Sequence, residues 1–105
     1  MKTEHTFDKS QPIAQNTMAA LRLIDATEYS QKERIKEMII EREHLGFKKY
    51  QKTMDRKDYT QKDWLIHLLE EILDGIQYAV AAQEFTLVEY FIEDANYLVK
   101  KIEGI

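Results

Sequence analysis

Acidic side chains crowd into residues 67–79, whose sequence is HLLEEILDGIQYA. Glu71 and Asp74 lie three residues apart, and a helix places side chains at this spacing on one face. Two carboxylates so placed repel each other unless water screens them or a cation lies between them. Mg²⁺ is bound by oxygen ligands on fixed elements, with water and substrate phosphates filling the remaining positions. Glu71 and Asp74 are therefore candidate ligands for Mg²⁺ or Mn²⁺.

A second acidic set lies upstream. Glu33, Glu37 and Glu41 recur at every fourth residue, which keeps them on one helical face. If the two acidic helices pack through their apolar faces, Glu41, and with it Glu37, approaches Glu71 and Asp74. A solvated face is the ordinary alternative for both sets, because Glu and Asp on helices mostly face water.

A cationic segment joins the two acidic sets. It holds six of the 15 basic residues of the chain, namely Lys48, Lys49, Lys52, Arg56, Lys57 and Lys62. These cations could bind phosphates that a metal also contacts. Trp64 and Tyr78 could stack a nucleobase, although packing at the core or its rim is commoner at this spacing. We expect His67 to be a surface residue or the partner of a ligand.

The pattern of apolar residues predicts an all-α protein. Apolar side chains recur at spacings of three and four, and only three glycines and one proline interrupt the chain. We expect residues 1–10 to form a flexible tail and residues 11–105 to form a single four-helix, bundle-like domain. The apolar stripe from Leu87 to Ile102 is wider than so small a bundle needs to cover, which predicts a homo-oligomer.

Capping signals place the helix boundaries. Pro12 suits the first turn of a helix that ends near Glu28. The second helix is expected to begin after Ser30, with Glu33 as capping-box partner, and to end at Gly46. A second box predicts a third helix from Gln61 to about Gln83, because Thr60 precedes Asp63 by three residues. The last helix carries the Leu87–Ile102 stripe.

Composition excludes several classes of function. The net charge of −4 and the pI near 5.4 argue against sequence-independent nucleic-acid binding, which needs a basic surface. The absence of cysteine excludes disulfides, thiol nucleophiles and Cys-type zinc sites. No apolar run is long enough for a signal peptide or a membrane span, so we expect a cytoplasmic protein with no membrane partner.

Two segments of the chain carry a resemblance to a known family. They read EREHLGFKKY and MDRKDYTQKDWLIHLLEEILDGIQY. Over about residues 37–80 they resemble small phage and prophage proteins of the MazG-like, all-α nucleoside triphosphate pyrophosphohydrolase superfamily. The Arg/Gly/Lys-Tyr pattern of that family is matched by Arg42, Gly46, Lys49 and Tyr50. Glu71 to Asp74 matches the E-x-x-D half of the family signature.

The resemblance implies an oligomeric four-helix fold that binds a nucleotide with Mg²⁺ and cleaves between its α and β phosphates. The products would be a monophosphate and pyrophosphate, made by metal-ion catalysis. Glu41, Glu71 and Asp74 would be metal ligands, and Glu37 or Glu70 would be the base. Charge on the leaving pyrophosphate would be offset by Lys48, Lys49, Lys52 and Arg56. A phage-encoded member would act in the host cytoplasm.

Two other functions stay open. The upstream E-E-x-x-E half of the family signature is absent, because Glu37 and Glu41 are four residues apart and no doubled acid precedes them. This departure favours a protein that binds a nucleotide or cyclic nucleotide without cleaving it, as a sequestering, anti-defence protein would. The third possibility is a helical scaffold for protein interaction.

Overall fold

The computed structural model of the chain describes residues 13–50 and 58–105, with the backbone alone at residues 47–50. These residues form four helices and no strand, which confirms the predicted all-α class. The helices are α1 (Gln15–Asp25), α2 (Lys32–Tyr50), α3 (Gln61–Ala81) and α4 (Phe85–Glu103). The predicted tail at residues 1–10 and Pro12 lie outside the described residues.

The chain divides into two compact units, Met1–Arg56 and Lys57–Ile105. In the first unit α1 packs against α2, and in the second α3 packs against α4. We call these pairs the first hairpin and the second hairpin, and each is described by itself. The single domain and the bundle that the sequence predicts stay predictions.

Polar groups hold the N-terminus of α1 in the first hairpin. The buried carboxylate of Glu43 accepts the backbone N–H of Ala14 at 2.7 Å and the hydroxyl of Thr17. The helix-capping residue Ala14 has no side chain that could do this locally. An anion at this end of α1 also complements the helix dipole. Glu43 therefore anchors the start of α1 to α2.

Lysines of α2 hold the other end of α1. The Lys32 ammonium donates to the carbonyl oxygens of Asp25 at 3.0 Å and Thr27 at 3.3 Å. Lys36 pairs with the Asp25 carboxylate at 2.8 Å. The hydrogen bond from Lys36 lowers the pKa of Asp25, and the same bond raises the pKa of Lys36. Charged side chains of α2 therefore bind both ends of α1 in the first hairpin.

Helix α2 does not end where the sequence predicts. It runs through Gly46 to Tyr50, and no glycine among the described residues has positive φ. The predicted C-cap at Gly46 is therefore wrong, because the residue keeps helical geometry. A mid-helix glycine costs about 1 kcal/mol relative to alanine, which the rest of a 19-residue helix can offset. Helix α1 ends at Asp25, three residues before the predicted end.

The second hairpin begins at the predicted capping box. The Thr60 hydroxyl accepts the N–H of Asp63 at 3.2 Å, and the Asp63 carboxylate accepts the N–H of Thr60 at 2.8 Å. Helix α3 then runs to Ala81, and a short turn leads into α4. Gln83 in this turn has φ 60, the left-handed conformation that reverses the chain.

Packing between α3 and α4 rests on small residues in α3. Ala79 and Leu98 are its buried apolar residues. A Cβ added to Gly75 would lie 3.4 Å from the ring of Phe91, so this glycine admits the ring. This contact fixes the register, with Gly75 opposite Phe91.

Candidate functional site

The strongest candidate metal ligands lie together on an open face of the second hairpin. Glu71 and Asp74 are exposed and lie one turn apart on α3. Within the described residues neither carboxylate has an ion pair or a side-chain hydrogen bond. The adjacent Glu70 carboxylate lies 3.6 Å from Nδ1 of His67 and pairs with it when the imidazole is protonated. Among the side chains that the structure describes, no cation therefore pairs with Glu71 or Asp74.

The two upstream candidates differ sharply in environment. Glu37 is exposed and lies 3.5 Å from Arg34. Glu41 is 7% exposed, and His44, one turn further along α2, is 3% exposed. A carboxylate taken out of water needs compensating hydrogen bonds or positive charge. The solvated-face interpretation therefore fits Glu37 and does not fit Glu41.

The predicted metal cage joins residues of different units. Glu41 belongs to the first hairpin, whereas Glu71 and Asp74 belong to the second. Among residues 13–46 and 58–105, no group of three or more His, Asp or Glu side chains is arranged to hold a metal ion. The carboxylate oxygens of these residues are the type of donor that a hard cation such as Mg²⁺ prefers. The cage itself stays a prediction.

Three aromatic rings gather at the N-terminal end of α3. The ring centroids of Tyr59 and Trp64 are 4.7 Å apart, and Tyr59 stacks on His67 at 5.2 Å with 6° between the planes. Tyr59 precedes the cap and Trp64 is the fourth residue of the helix, so the pair forms a hydrophobic staple. The sequence analysis missed Tyr59, although an aromatic residue directly before a capping box is a usable signal.

A shallow pocket adjoins these rings. It has a volume of about 240 Å³ and is lined by Asp58, Tyr59, Asp63, Ile66 and His67. Its Asp63 carboxylate is already occupied with capping α3, and the backbone hydrogen bond from Thr60 lowers the pKa of Asp63. Acidic and aromatic groups therefore meet at this end of α3.

The two candidate nucleobase partners are far apart. Trp64 belongs to the aromatic group, whereas Tyr78 is 73% exposed near the other end of α3. Fourteen residues of helix separate their backbones by about 21 Å, so a single base can stack on only one of them. Glu71 lies midway, about 10 Å along the helix from each.

The basic residues fall mostly outside the described part of the chain. The backbone of Lys48 and Lys49 belongs to α2 rather than to a connecting loop, and their side chains are not described. Lys52 and Arg56 lie outside the described residues. Lys62 lies in the first turn of α3 and is exposed. The predicted role of these cations at phosphates stays a prediction.

Comparison with known proteins yields no relative. No protein-family model, no curated protein and no solved structure matches the chain. The resemblance to the MazG-like superfamily therefore stays a prediction. Within the described residues, none of the helices combines the length and the apolar character that crossing a membrane requires.

Proposed function

We propose that the chain binds the phosphates of a nucleoside triphosphate through Mg²⁺ at Glu71 and Asp74, and cleaves the nucleotide to a monophosphate and pyrophosphate. One observation carries the proposal. Two exposed carboxylates lie one turn apart without an ion pair in the described residues, at the position that matches the E-x-x-D half of the family signature. Mn²⁺ would serve as well, because it accepts the same oxygen donors.

The residues along one face of α3 would have different roles in this reaction. Glu71 and Asp74 would orient the phosphates, and Trp64 or Tyr78 would stack the base at about 10 Å from Glu71. A bound Mg²⁺ supplies Lewis-acid stabilisation of charge on the phosphates. Glu70 would accept the proton of the attacking water, and His67, whose Nδ1 lies 3.6 Å from the Glu70 carboxylate, would pair with it when protonated. Glu41 would complete the ligand set from the first hairpin, with Glu37 as the alternative base.

A second candidate function is a helical interaction scaffold. The second hairpin leaves large apolar side chains exposed on both of its helices, including Leu73, Phe85 and Ile92. Exposed apolar surface of this extent marks interaction sites in soluble proteins. This observation is compatible with nucleotide binding, because an enzyme of this size also gains stability by assembly.

The test measures nucleotide hydrolysis and, separately, the binding of metal ions. The purified chain is incubated with ribo- and deoxyribonucleoside triphosphates and Mg²⁺ or Mn²⁺, and pyrophosphate release is followed. Mass spectrometry identifies the nucleotide recovered after heat denaturation. Separately, Mn²⁺ alone is titrated while paramagnetic broadening of the amide signals of α3 is recorded by NMR.

Matched variants decide between the outcomes. We expect metal-dependent monophosphate formation that Glu71→Gln and Asp74→Asn abolish, and that the exposed α4 variants Glu93→Gln and Asp94→Asn retain. Release of an intact nucleotide on heating would indicate that the chain sequesters the nucleotide instead of hydrolysing it. Absence of a bound nucleotide, of product and of Mn²⁺ broadening near Asp74 would overturn the nucleotide proposal and leave the scaffold.

A further inference from the structure

Six of the exposed apolar residues of the second hairpin follow a seven-residue repeat, three on each helix. In α3 they are Ile66, Leu73 and Val80, and in α4 they are Phe85, Ile92 and Val99. Each of these six residues is between 37% and 62% exposed. Less exposed apolar residues fill the second position of each repeat, namely Leu69 and Ile76 in α3 and Val88, Ala95 and Ile102 in α4. Apolar residues at two positions of a seven-residue repeat are typical of helices that pack along a seam.

The two repeats lie on the same side of the hairpin. At about 100° per residue, the three exposed residues of each helix fall within about 40° of one another. Helix α4 runs antiparallel to α3, and the Gly75–Phe91 register sets Leu73 beside Ile92. The same register sets Ile66 beside Val99 and Val80 beside Phe85. We call this six-residue surface the heptad face.

The acidic row lies elsewhere on α3. On the same helical projection, Glu71 and Asp74 are about 100–160° away from the centre of the heptad face. A partner that covers the heptad face therefore leaves the two carboxylates accessible. The two surfaces are independent, and an interface here does not depend on nucleotide binding.

We propose that the heptad face binds the heptad face of a second copy of the chain. Two antiparallel helices side by side form a groove that fits two further helices at the same spacing, as in a four-helix bundle. The six exposed side chains offer roughly 500 Å² per copy, or about 1,000 Å² in a symmetric pair, which is the lower limit for a specific interface. In the part of α2 whose side chains are described, Arg42 interrupts the corresponding repeat of Ile35, Met38 and Leu45.

Charges beside the heptad face select the orientation of the two copies. A twofold axis parallel to the helices sets α3 of one copy against α4 of the other at unchanged height. In the Gly75–Phe91 register, Lys62 then meets Glu103 of the second copy, Glu70 meets Asn96, and Gln77 meets Glu89. None of these three contacts sets like charges against each other. The two turns at 82–84 therefore lie at the same end of the assembly.

The first experiment measures mass. Sedimentation equilibrium of the full chain should give twice the monomer mass of 12.5 kDa. Leu73→Lys or Ile92→Lys should raise the dissociation constant by roughly 100-fold or more, since each buries a charge at the centre of the interface. Tyr90→Lys is the matched control, because Tyr90 is 58% exposed on α4 outside the heptad face. Far-UV circular dichroism verifies that each variant keeps its helices.

A monomer at all concentrations would overturn the proposal, as would a dimer that Leu73→Lys leaves intact. If the chain is monomeric and Leu73→Lys lowers the free energy of unfolding, the first hairpin covers the face instead. Larger assemblies that both face variants disrupt support the pairing as one of their contacts. Each result therefore decides whether a second copy is the occupant.

The second experiment tests orientation and uses the absence of native cysteine. Ala82→Cys should form a disulfide-linked dimer under mild oxidation, because the two turns are adjacent. Opposite orientation would separate them by about 30 Å, the length of α3, and no crosslink would form. Lys62→Glu should weaken the dimer and addition of Glu103→Lys should restore it. Failure of both the crosslink and the rescue, with the dimer intact, would overturn the orientation alone.

Discussion

The carboxylate of Glu43 accepts the backbone N–H of Ala14 at 2.7 Å, across 29 residues of sequence. It also accepts the hydroxyl of Thr17, and it is 9% exposed. A single acidic side chain of α2 thereby binds two donors at the start of α1. Among the described residues of the first hairpin, Ala14 is the one buried apolar residue, so polar contacts such as this one contribute to orienting α1.

Removal of the Glu43 carboxylate should therefore detach α1. We expect Glu43→Ala to lower the free energy of unfolding by about 1–3 kcal/mol, because two buried donors lose their acceptor. Glu43→Gln should cost less, since the amide oxygen still accepts one bond. Urea denaturation measures the change, and amide hydrogen exchange at Ala14 localises it. Glu37→Ala, at an exposed position, should stay within about 0.5 kcal/mol of the parent; an equal loss there would show that Glu43 has no special role.

The cap of α3 gives a second prediction. Thr60→Ala should destabilise the second hairpin by about 1 kcal/mol, because the N–H of Asp63 loses its acceptor. Thr60→Ser keeps the hydroxyl and should therefore retain most of the stability that Thr60→Ala loses. The measurement is thermal unfolding followed by circular dichroism. Thr86→Ala, in the exposed first turn of α4, is the control, and a comparable effect there would contradict a specific capping role.

Asp63 makes the stability of α3 depend on pH. Its pKa is lowered in the folded chain, chiefly by the backbone hydrogen bond from Thr60. A lowered folded pKa means that the ionised form stabilises the fold above the unfolded value, near 3.9. This contribution is lost as pH falls from about 5 through the folded pKa. NMR titration of Asp63, with helix content followed from pH 6 to pH 2, should show α3 losing stability over this window. Asp63→Asn should lessen the dependence, and an unchanged acid profile would contradict the assignment.

The sequence predicted best those features that local chemistry decides. The Thr60–Asp63 capping box is read from four residues, and α3 begins at Gln61 as predicted. The helical periodicity of the apolar residues predicted four helices, and the described residues form four. Glu71 and Asp74 share a face for the same reason, since their three-residue spacing needs nothing beyond the helix.

Features that join distant residues were not predicted. Nothing in the sequence around Glu43 indicates that it binds the start of α1, because the contact depends on how the two helices pack. The burial of Glu41 depends in the same way on neighbours that the four-residue acidic spacing does not reveal. The predicted convergence of Glu41 with Glu71 and Asp74 would be a tertiary relationship of this kind, so spacing within each helix does not establish it.

Gly46 shows where a local signal misleads, and it gives the last prediction. Glycine favours helix ends only when the chain needs a left-handed residue, and here α2 continues to Tyr50. A Cβ added to Gly46 would meet nothing within 4 Å. Gly46→Ala should therefore stabilise the chain by up to about 1 kcal/mol, since alanine restricts the unfolded chain and favours helix.

The sign of the Gly46→Ala effect separates the two descriptions of this helix end. At a left-handed C-cap the same substitution would destabilise by about 1 kcal/mol, because a Cβ is strained at positive φ. Urea denaturation gives the free energy, and the carbon chemical shifts of residues 44–50 report whether the helix continues. Gly104→Ala is the comparison. The Cβ added there would lie 3.3 Å from the carbonyl oxygen of Lys100, so this substitution should stabilise the chain less than Gly46→Ala does. A loss of stability at Gly46, with coil shifts beyond it, would restore the shorter helix that the sequence first suggests.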